Sequence, residues 1–137
     1  MYQGIVRLGT KTKDLAKRLK PGEIALIDHQ DLDAMGALGL AETGIEVVLN
    51  AADSITGRYP NLGPKLLLER KIKVIDQLGK DIFAKVKDGE QLRIVENSIY
   101  LNDNCIAAGR LLDHNFVLVA MEQAKANIDN EIDKFVD

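Results

Sequence analysis

Between Ile45 and Leu49 the chain runs Ile-Glu-Val-Val-Leu, a β-branched, apolar stretch of the kind found in strands buried on both faces. Its neighbours decide what it can belong to. Upstream, Glu23 to Ile27 is a second strand, bounded by Pro21-Gly22 and Asp28-His29. A helix over about Asp31 to Glu42 follows it, with Leu32, Met35 and Leu38 at helical spacing, Gly36 and Gly39 permitting close approach, and Gly44 as its stop. Downstream, Pro64 suits the first turn of a helix reaching about Arg70, Leu66 to Leu68 supply its buried face, and Lys73 to Asp76 returns as a strand. At the start of the chain, Gln3 to Leu8 reads as a strand and Lys13 to Leu19 as a helix that Thr10 or Thr12 can cap. Strand, helix, strand, repeated, predicts an α/β sheet with crossover connections, in which ligands bind at the carboxyl ends of the strands. Asp28, His29, Asn50 and the loop beyond Asn50 all lie at such ends.

After Asp76 the pattern changes. Asp81 to Val86 is a short helical turn, and Gln91 to Val95 and Ser98 to Leu101 alternate around Glu96-Asn97 as a hairpin, with Cys105 to Ala108 as a further strand. From Asp113 onward one long helix is predicted. Val117, Met121, Ala124, Ile128, Ile132 and Phe135 step by fours and threes, a narrow stripe near the coiled-coil period. Such a stripe packs either on its own domain or on a partner; we read it as a connector or a homodimer seam. The pattern continues to Val136-Asp137 without a glycine or proline stop, as expected of a piece of a longer protein. The expected organisation is an α/β domain over residues 1–110 and a connector or dimerisation helix over residues 111–137.

The loop Ser54-Ile55-Thr56-Gly57-Arg58-Tyr59-Pro60-Asn61-Leu62-Gly63-Pro64 is uncharged except for its arginine, and its two glycines and two prolines demand an irregular backbone. A lone guanidinium among hydroxyl and amide groups offers a directed fork for a phosphate or carboxylate. The plainer reading has Arg58 capping a carbonyl or pairing with Asp53 or Asp76. The candidate ligand-binding set is Asp28, His29, Asn50, Ser54, Thr56, Gly57, Arg58, Tyr59, Asn61 and Gly63. The loop is not a P-loop: five residues separate Gly57 from Gly63, and Pro64 precedes Lys65 and Leu66. Asp28, His29, Asp31 and Asp33 crowd one strand-to-helix junction, where a metal or acid/base pair is conceivable. Asp31 and Asp33 are more simply helix caps; the role of Asp28 and His29 stays open. No serine has the context of a nucleophile elbow, Cys105 has no neighbouring histidine in sequence, and no catalytic residue, metal or cofactor is assigned.

The 137 residues fit one domain, and no apolar run reaches the ~18 residues of a membrane span. A basic start without an apolar core segment is no signal peptide, and a single cysteine suits a reducing compartment, so the expected location is the cytoplasm. Residues 1–20 carry six bases against Asp14, and residues 113–137 carry six acids against Lys125 and Lys134. Two solvated helix faces explain that split, although it could also steer an anionic partner or a second copy. The basic helix lacks interleaved aromatics and the net charge is −3, so no nucleic-acid partner is expected.

Thr12-Lys13, the run Arg18-Leu19-Lys20-Pro21-Gly22-Glu23-Ile24-Ala25-Leu26-Ile27-Asp28-His29, Asp31-Leu32-Asp33, Asn50-Ala51-Ala52 and the Ser54 to Pro64 loop together resemble the N-terminal domain of the SteA-like proteins. These are cytokinetic ring proteins related to thiamin pyrophosphokinase. The resemblance runs from about Thr12 to the end, and Gly-Arg-Tyr-Pro-Asn-Leu-Gly-Pro is its most specific part. It implies a non-catalytic regulatory or assembly domain serving cell division, with a thiamin pyrophosphokinase-like domain and a hydrophobic, membrane-associating segment beyond the long helix. A fainter resemblance concerns fold. Asn61 to Val74, then Asp88-Gly89-Glu90 and a hairpin, look like the swivelling β/β/α phosphohistidine domain of phosphoenolpyruvate-utilising enzymes. Asn61 or Leu62 stands where that family has its phosphorylated histidine, which implies lost phosphocarrier chemistry and a loop that retains Arg58, Ser54, Thr56 and Asn61 as donors. The alternative implied function is therefore a phosphate- or nucleotide-sensing domain, or a partial active site completed by the kinase-like domain.

Overall fold

A computed structural model of the chain describes the backbone of residues 1–136 and the side chains of residues 1–130. Four parallel strands, β1 (Tyr2–Leu8), β2 (Ile24–Ile27), β3 (Val47–Asn50) and β4 (Lys73–Asp76), lie side by side in chain order. Helices α1 (Thr12–Ala16), α2 (Ala34–Ala41) and α3 (Gly63–Glu69) make the crossovers, as the alternation predicts. After α4 (Ile82–Lys85), strands β5 (Gln91–Val95), β6 (Ser98–Leu101) and β7 (Asn104–Ala108) extend the sheet antiparallel from β1. The register of β6 on β7 slips between Ile99 and Tyr100. The two-residue β8 (Arg110–Leu111), which sequence patterning misses, pairs antiparallel with β4 before α5 (His114–Val136). The result is a mixed eight-stranded sheet with a C-terminal helix, and among the described residues no helix is long and apolar enough to cross a membrane.

Alternation along β2, β3 and β4 feeds two hydrophobic clusters, one on each face. Ala25, Ile27, Val48 and Val74 meet Leu15, Leu40 and Leu67 from the crossover helices and Val117 and Ala120 from α5. Ile24, Leu26, Val47, Leu49 and Ile75 meet Leu92, Ile94 and Ile99 from the antiparallel strands and Ile82 from α4. Helices therefore cover one face, and the antiparallel strands with α4 close over the other. Most of these side chains are wholly buried, each worth about 1.5–3 kcal/mol of transfer free energy.

Some elements differ from expectation. α1 is a single turn that ends at Ala16, although Leu19 beyond it still joins the core. Neither threonine caps it, since the capping position is Lys11 and has no side-chain bond. α2 begins at Ala34, with Asp33 as its N-cap accepting from Gly36 N at 2.7 Å. Its buried face is Ala37 and Leu40, while Met35 is 83% exposed, because small residues let α2 sit close on α1: a Cβ on Gly39 would stand 3.9 Å from that of Ala16. The α5 stripe also divides. Val117 and Ala124 are buried and Met121 packs on the same core, so this half is covered by its own domain and is closed to a partner. Ile128 is 37% exposed, and Ile132 and Phe135 lie outside the described residues.

At the carboxyl end of β1, Asp88 ties three segments. Its carboxylate accepts from Leu8 N at 2.8 Å, from Arg7 at 3.2 Å and from Arg18 at 3.5 Å. Burial pushes its pKa up, but the Leu8 amide and the two guanidinium groups outweigh this and hold it below the usual aspartate value. A lowered folded-state pKa contributes stability that is present above the unfolded pKa, about 3.9, and is lost as pH falls through the folded value. Asp88→Asn is expected to lower the urea midpoint at pH 7 modestly, the group being half exposed and screened. The difference from the parent should shrink toward zero in a titration below pH ~4.

Candidate functional site

The carboxyl ends of β2, β3 and β4 meet the loop from Ala51 to Leu62, and the polar groups there are joined in one network. Asn50, the last residue of β3, is fully buried and uses its whole side chain. Its Oδ1 accepts from His29 N and Ala52 N, both at 3.0 Å, and its Nδ2 donates to His29 O and Ser54 Oγ, both at 2.8 Å. Asn61 Nδ2 donates to Leu32 O at 2.9 Å and Ser54 O at 3.0 Å, closing the loop on itself, and Asn61 Oδ1 is buried without a partner among the described residues. Asp31, with φ +52°, is not a helix cap: its carboxylate accepts from Thr56 N at 2.8 Å and Thr56 Oγ1 at 3.0 Å, and Thr56 Oγ1 in turn accepts from Arg58 N at 3.2 Å.

The two loop glycines are required for different reasons, close approach at Gly63 and a positive φ at Gly57. A Cβ at Gly63 would collide with the carbonyl of Leu32, where the loop enters α3. Gly57 has φ +80°, faces Gln123 of α5, and its carbonyl accepts from Asn127 Nδ2 at 2.9 Å. Thus α5 holds the middle of the loop while the strand ends hold its base.

The plainer expectation for Arg58, a pairing with Asp53 or Asp76, is not met. Those carboxylates belong to Arg110 of β8. Its Nε donates to Asp76 Oδ1 at 2.9 Å, and its Nη2 donates to Asp76 Oδ2 at 2.8 Å and Asp53 Oδ1 at 2.7 Å. Asp76, the end of β4, is 0% exposed and also accepts from Ser54 N at 2.8 Å. Burial disfavours the Arg110 charge, yet Asp76 and Asp53 more than compensate and hold its pKa above the ordinary arginine value. The guanidinium lies 4.3 Å from the ring centroid of Phe116. Arg58 itself is exposed, and its guanidinium has no hydrogen-bond or ion-pair partner among the described residues; Tyr59 beside it is 65% exposed.

The Asp28, His29, Asp31, Asp33 cluster disperses. Asp28 lies 4.0 Å from Lys80, His29 Nδ1 is 3.4 Å from Thr12 Oγ1, and the other two carboxylates hold Thr56 and Gly36. Among the described residues no group of three or more His, Cys, Asp or Glu side chains could hold a metal ion. Of the candidate ligand-binding residues, Asn50, Ser54, Thr56, Gly57, Asn61 and Gly63 shape the loop from within, Arg58 and Tyr59 face solvent, and Asp28 and His29 turn to separate neighbours. The network members that sequence reasoning missed are Arg110 and the loop-holding role of Asp31. The available signal was Asp76 itself, a charge ending an apolar strand and therefore in need of a cation.

No protein-family model matches the sequence, and no curated protein matches it. Among solved structures the chain is similar to 3-isopropylmalate dehydratase from Methanocaldococcus jannaschii, with a TM-score of 0.51 and 11% identity over 94% of this chain and 97% of that one. At that identity the likeness concerns the α/β architecture.

Arg110→Met would leave the Asp76 carboxylate buried without its cation. The expected cost is about 3–5 kcal/mol of unfolding free energy, read from urea denaturation at pH 7.

Proposed function

We propose that this chain is the non-catalytic regulatory or assembly domain of a SteA-like cell-division protein, working in the cytoplasm on a swivelling β/β/α-like scaffold. The observation that carries this reading is the closed hydrogen-bond economy of Asn50, Ser54, Asp53, Asp76 and Arg110. At the sheet end where chemistry would be expected, these five side chains are committed to one another and to the backbone. In the part of the loop with the most specific resemblance, Gly57 to Pro64, Gly57 contacts α5 and Asn61 and Gly63 hold the loop's shape. Helices on one face of the parallel strands and antiparallel strands over the other support the swivelling scaffold. In this reading α5 transmits or assembles, and two copies associate through the part of the helix that begins at Ile128.

A second reading is favoured by one observation, the unpaired guanidinium of Arg58. It makes the loop tip a phosphate- or nucleotide-sensing element, or a partial active site that a thiamin pyrophosphokinase-like domain completes. Asn50, Ser54 and Asn61 then serve as the frame that presents Arg58, and a phosphorylated small molecule is the partner.

Two measurements separate these readings. Sedimentation of the parent should show a dimer that Ile128→Asp converts to monomer with its circular dichroism unchanged; an unaltered mass removes α5 from assembly. Thermal unfolding is to be followed with inorganic phosphate, nucleotides and thiamin phosphates. A bound compound at 100 times its Kd adds about 2.7 kcal/mol, and the sensing reading requires that Arg58→Ala abolish that gain. No shift in either protein leaves the assembly reading alone.

A further inference from the structure

A cleft of about 360 Å³ opens between α1 and α2; no residue of the Ser54 to Pro64 loop lines it, and Gly63 of that loop packs on the backbone behind Asp33. Its size falls within the range of small-molecule pockets. The wall is apolar: Ala16, Gly36 and Gly39 form a smooth floor, and Met35, which the helix turns outward rather than into the core, stands at the rim. An exposed methionine beside such a floor is a flexible apolar cover that adapts to what lies under it.

The polar groups of the cleft are of opposite sign and do not satisfy each other. Lys13 lines one side and forms no ion pair among the described residues. Asp33 lines the other; its Oδ1 accepts from Gly36 N at 2.7 Å, and its second oxygen has no partner among the described residues. His29 and Thr12 also line the cleft, with Nδ1 and Oγ1 3.4 Å apart, and His29 Nε2 has no partner among the described residues. An anion alone would meet Asp33 and a cation alone would meet Lys13. A molecule carrying both charges on adjacent atoms and an apolar tail meets each with its complement.

We propose that this cleft binds a free α-amino acid with an apolar side chain, its carboxylate toward Lys13 and His29, its ammonium toward the open oxygen of Asp33, and its side chain over Gly36, Gly39 and Ala16 under Met35. The site is separate from the Arg58 loop, and the proposal stands or falls independently of the function proposed above.

The test is a titration of the isotope-labelled chain with L-leucine, followed by amide chemical shifts. Saturable shifts confined to the surroundings of Thr12, Lys13, His29, Asp33, Gly36 and Gly39 are expected. 4-Methylpentanoate, which lacks the ammonium, and 3-methylbutylamine, which lacks the carboxylate, should each bind at least ~10-fold more weakly, since each forfeits one charge contact. Lys13→Gln and Asp33→Asn should each weaken leucine by a similar factor, Asn being able to keep the cap on α2. Gly39→Ala replaces a helix-interior glycine by a better helix former and adds a methyl to the floor at ordinary contact distance from Ala16, so it should keep the fold and weaken binding. Arg58→Ala should leave leucine binding unchanged. Absence of saturable shifts overturns the proposal, as does equal binding of the carboxylate or the amine, or undiminished binding in Gly39→Ala.

Discussion

The carboxylate of Asp76 has no exposed surface, and everything at the working end of the sheet follows from how that charge is accommodated. Burying a carboxylate is affordable only with a cation and further donors close by. Arg110 supplies the cation through a two-pronged contact, and Ser54 N supplies a third donor. Because Arg110 also reaches Asp53 and lies against Phe116, one ion pair ties β4, β8, the base of the loop and the start of α5. Within the loop, Ser54, Thr56 and Asn61 add their own hydrogen bonds to this anchor. The constraint is thus electrostatic at the base and steric at the tip, where Gly63 passes the Leu32 carbonyl and Gly57 meets α5.

The parallel half of the sheet was legible in the sequence because its strands are buried on both faces. Runs such as Val47-Val48-Leu49 are typical of such strands, and the Pro21-Gly22 turn and Gly44 punctuate them. The hairpin around Glu96-Asn97 was legible for a similar reason, an alternation of period two about a turn. What stayed hidden depends on partners far apart in the chain. Arg110 follows Gly109 in a two-residue strand too short for any pattern, and its partners are 34 and 57 residues away. The outward turn of Met35 was likewise concealed, because helical spacing gives a stripe and not the side on which the core lies; the small residues that draw α2 toward α1 decide that.

At the candidate site the sequence marked a polar stretch without showing where its hydrogen bonds go. Ser54, Asn50 and Asn61 are polar and lie at a strand end or in the loop that follows it, which is equally the signature of a ligand cradle and of a loop that solvates its own backbone. Only the hydrogen-bond partners distinguish the two. Arg58 is the reverse case: its sequence context offered two nearby carboxylates, and a residue that no local pattern reveals has taken both.

The sheet ends at β7 on one side and at β8 on the other. A free strand edge is normally a template for another chain. Here the second edge is two residues long, and the pairing behind the first carries the slip between Ile99 and Tyr100, an irregularity that bends and twists a strand away from flat continuation. Neither margin presents a long, straight row of amides and carbonyls. The described residues are therefore poorly suited to lengthening by strand addition, whether into an open fibre or onto a guest peptide, and recognition by this molecule falls to the side chains of its helices and loop tips.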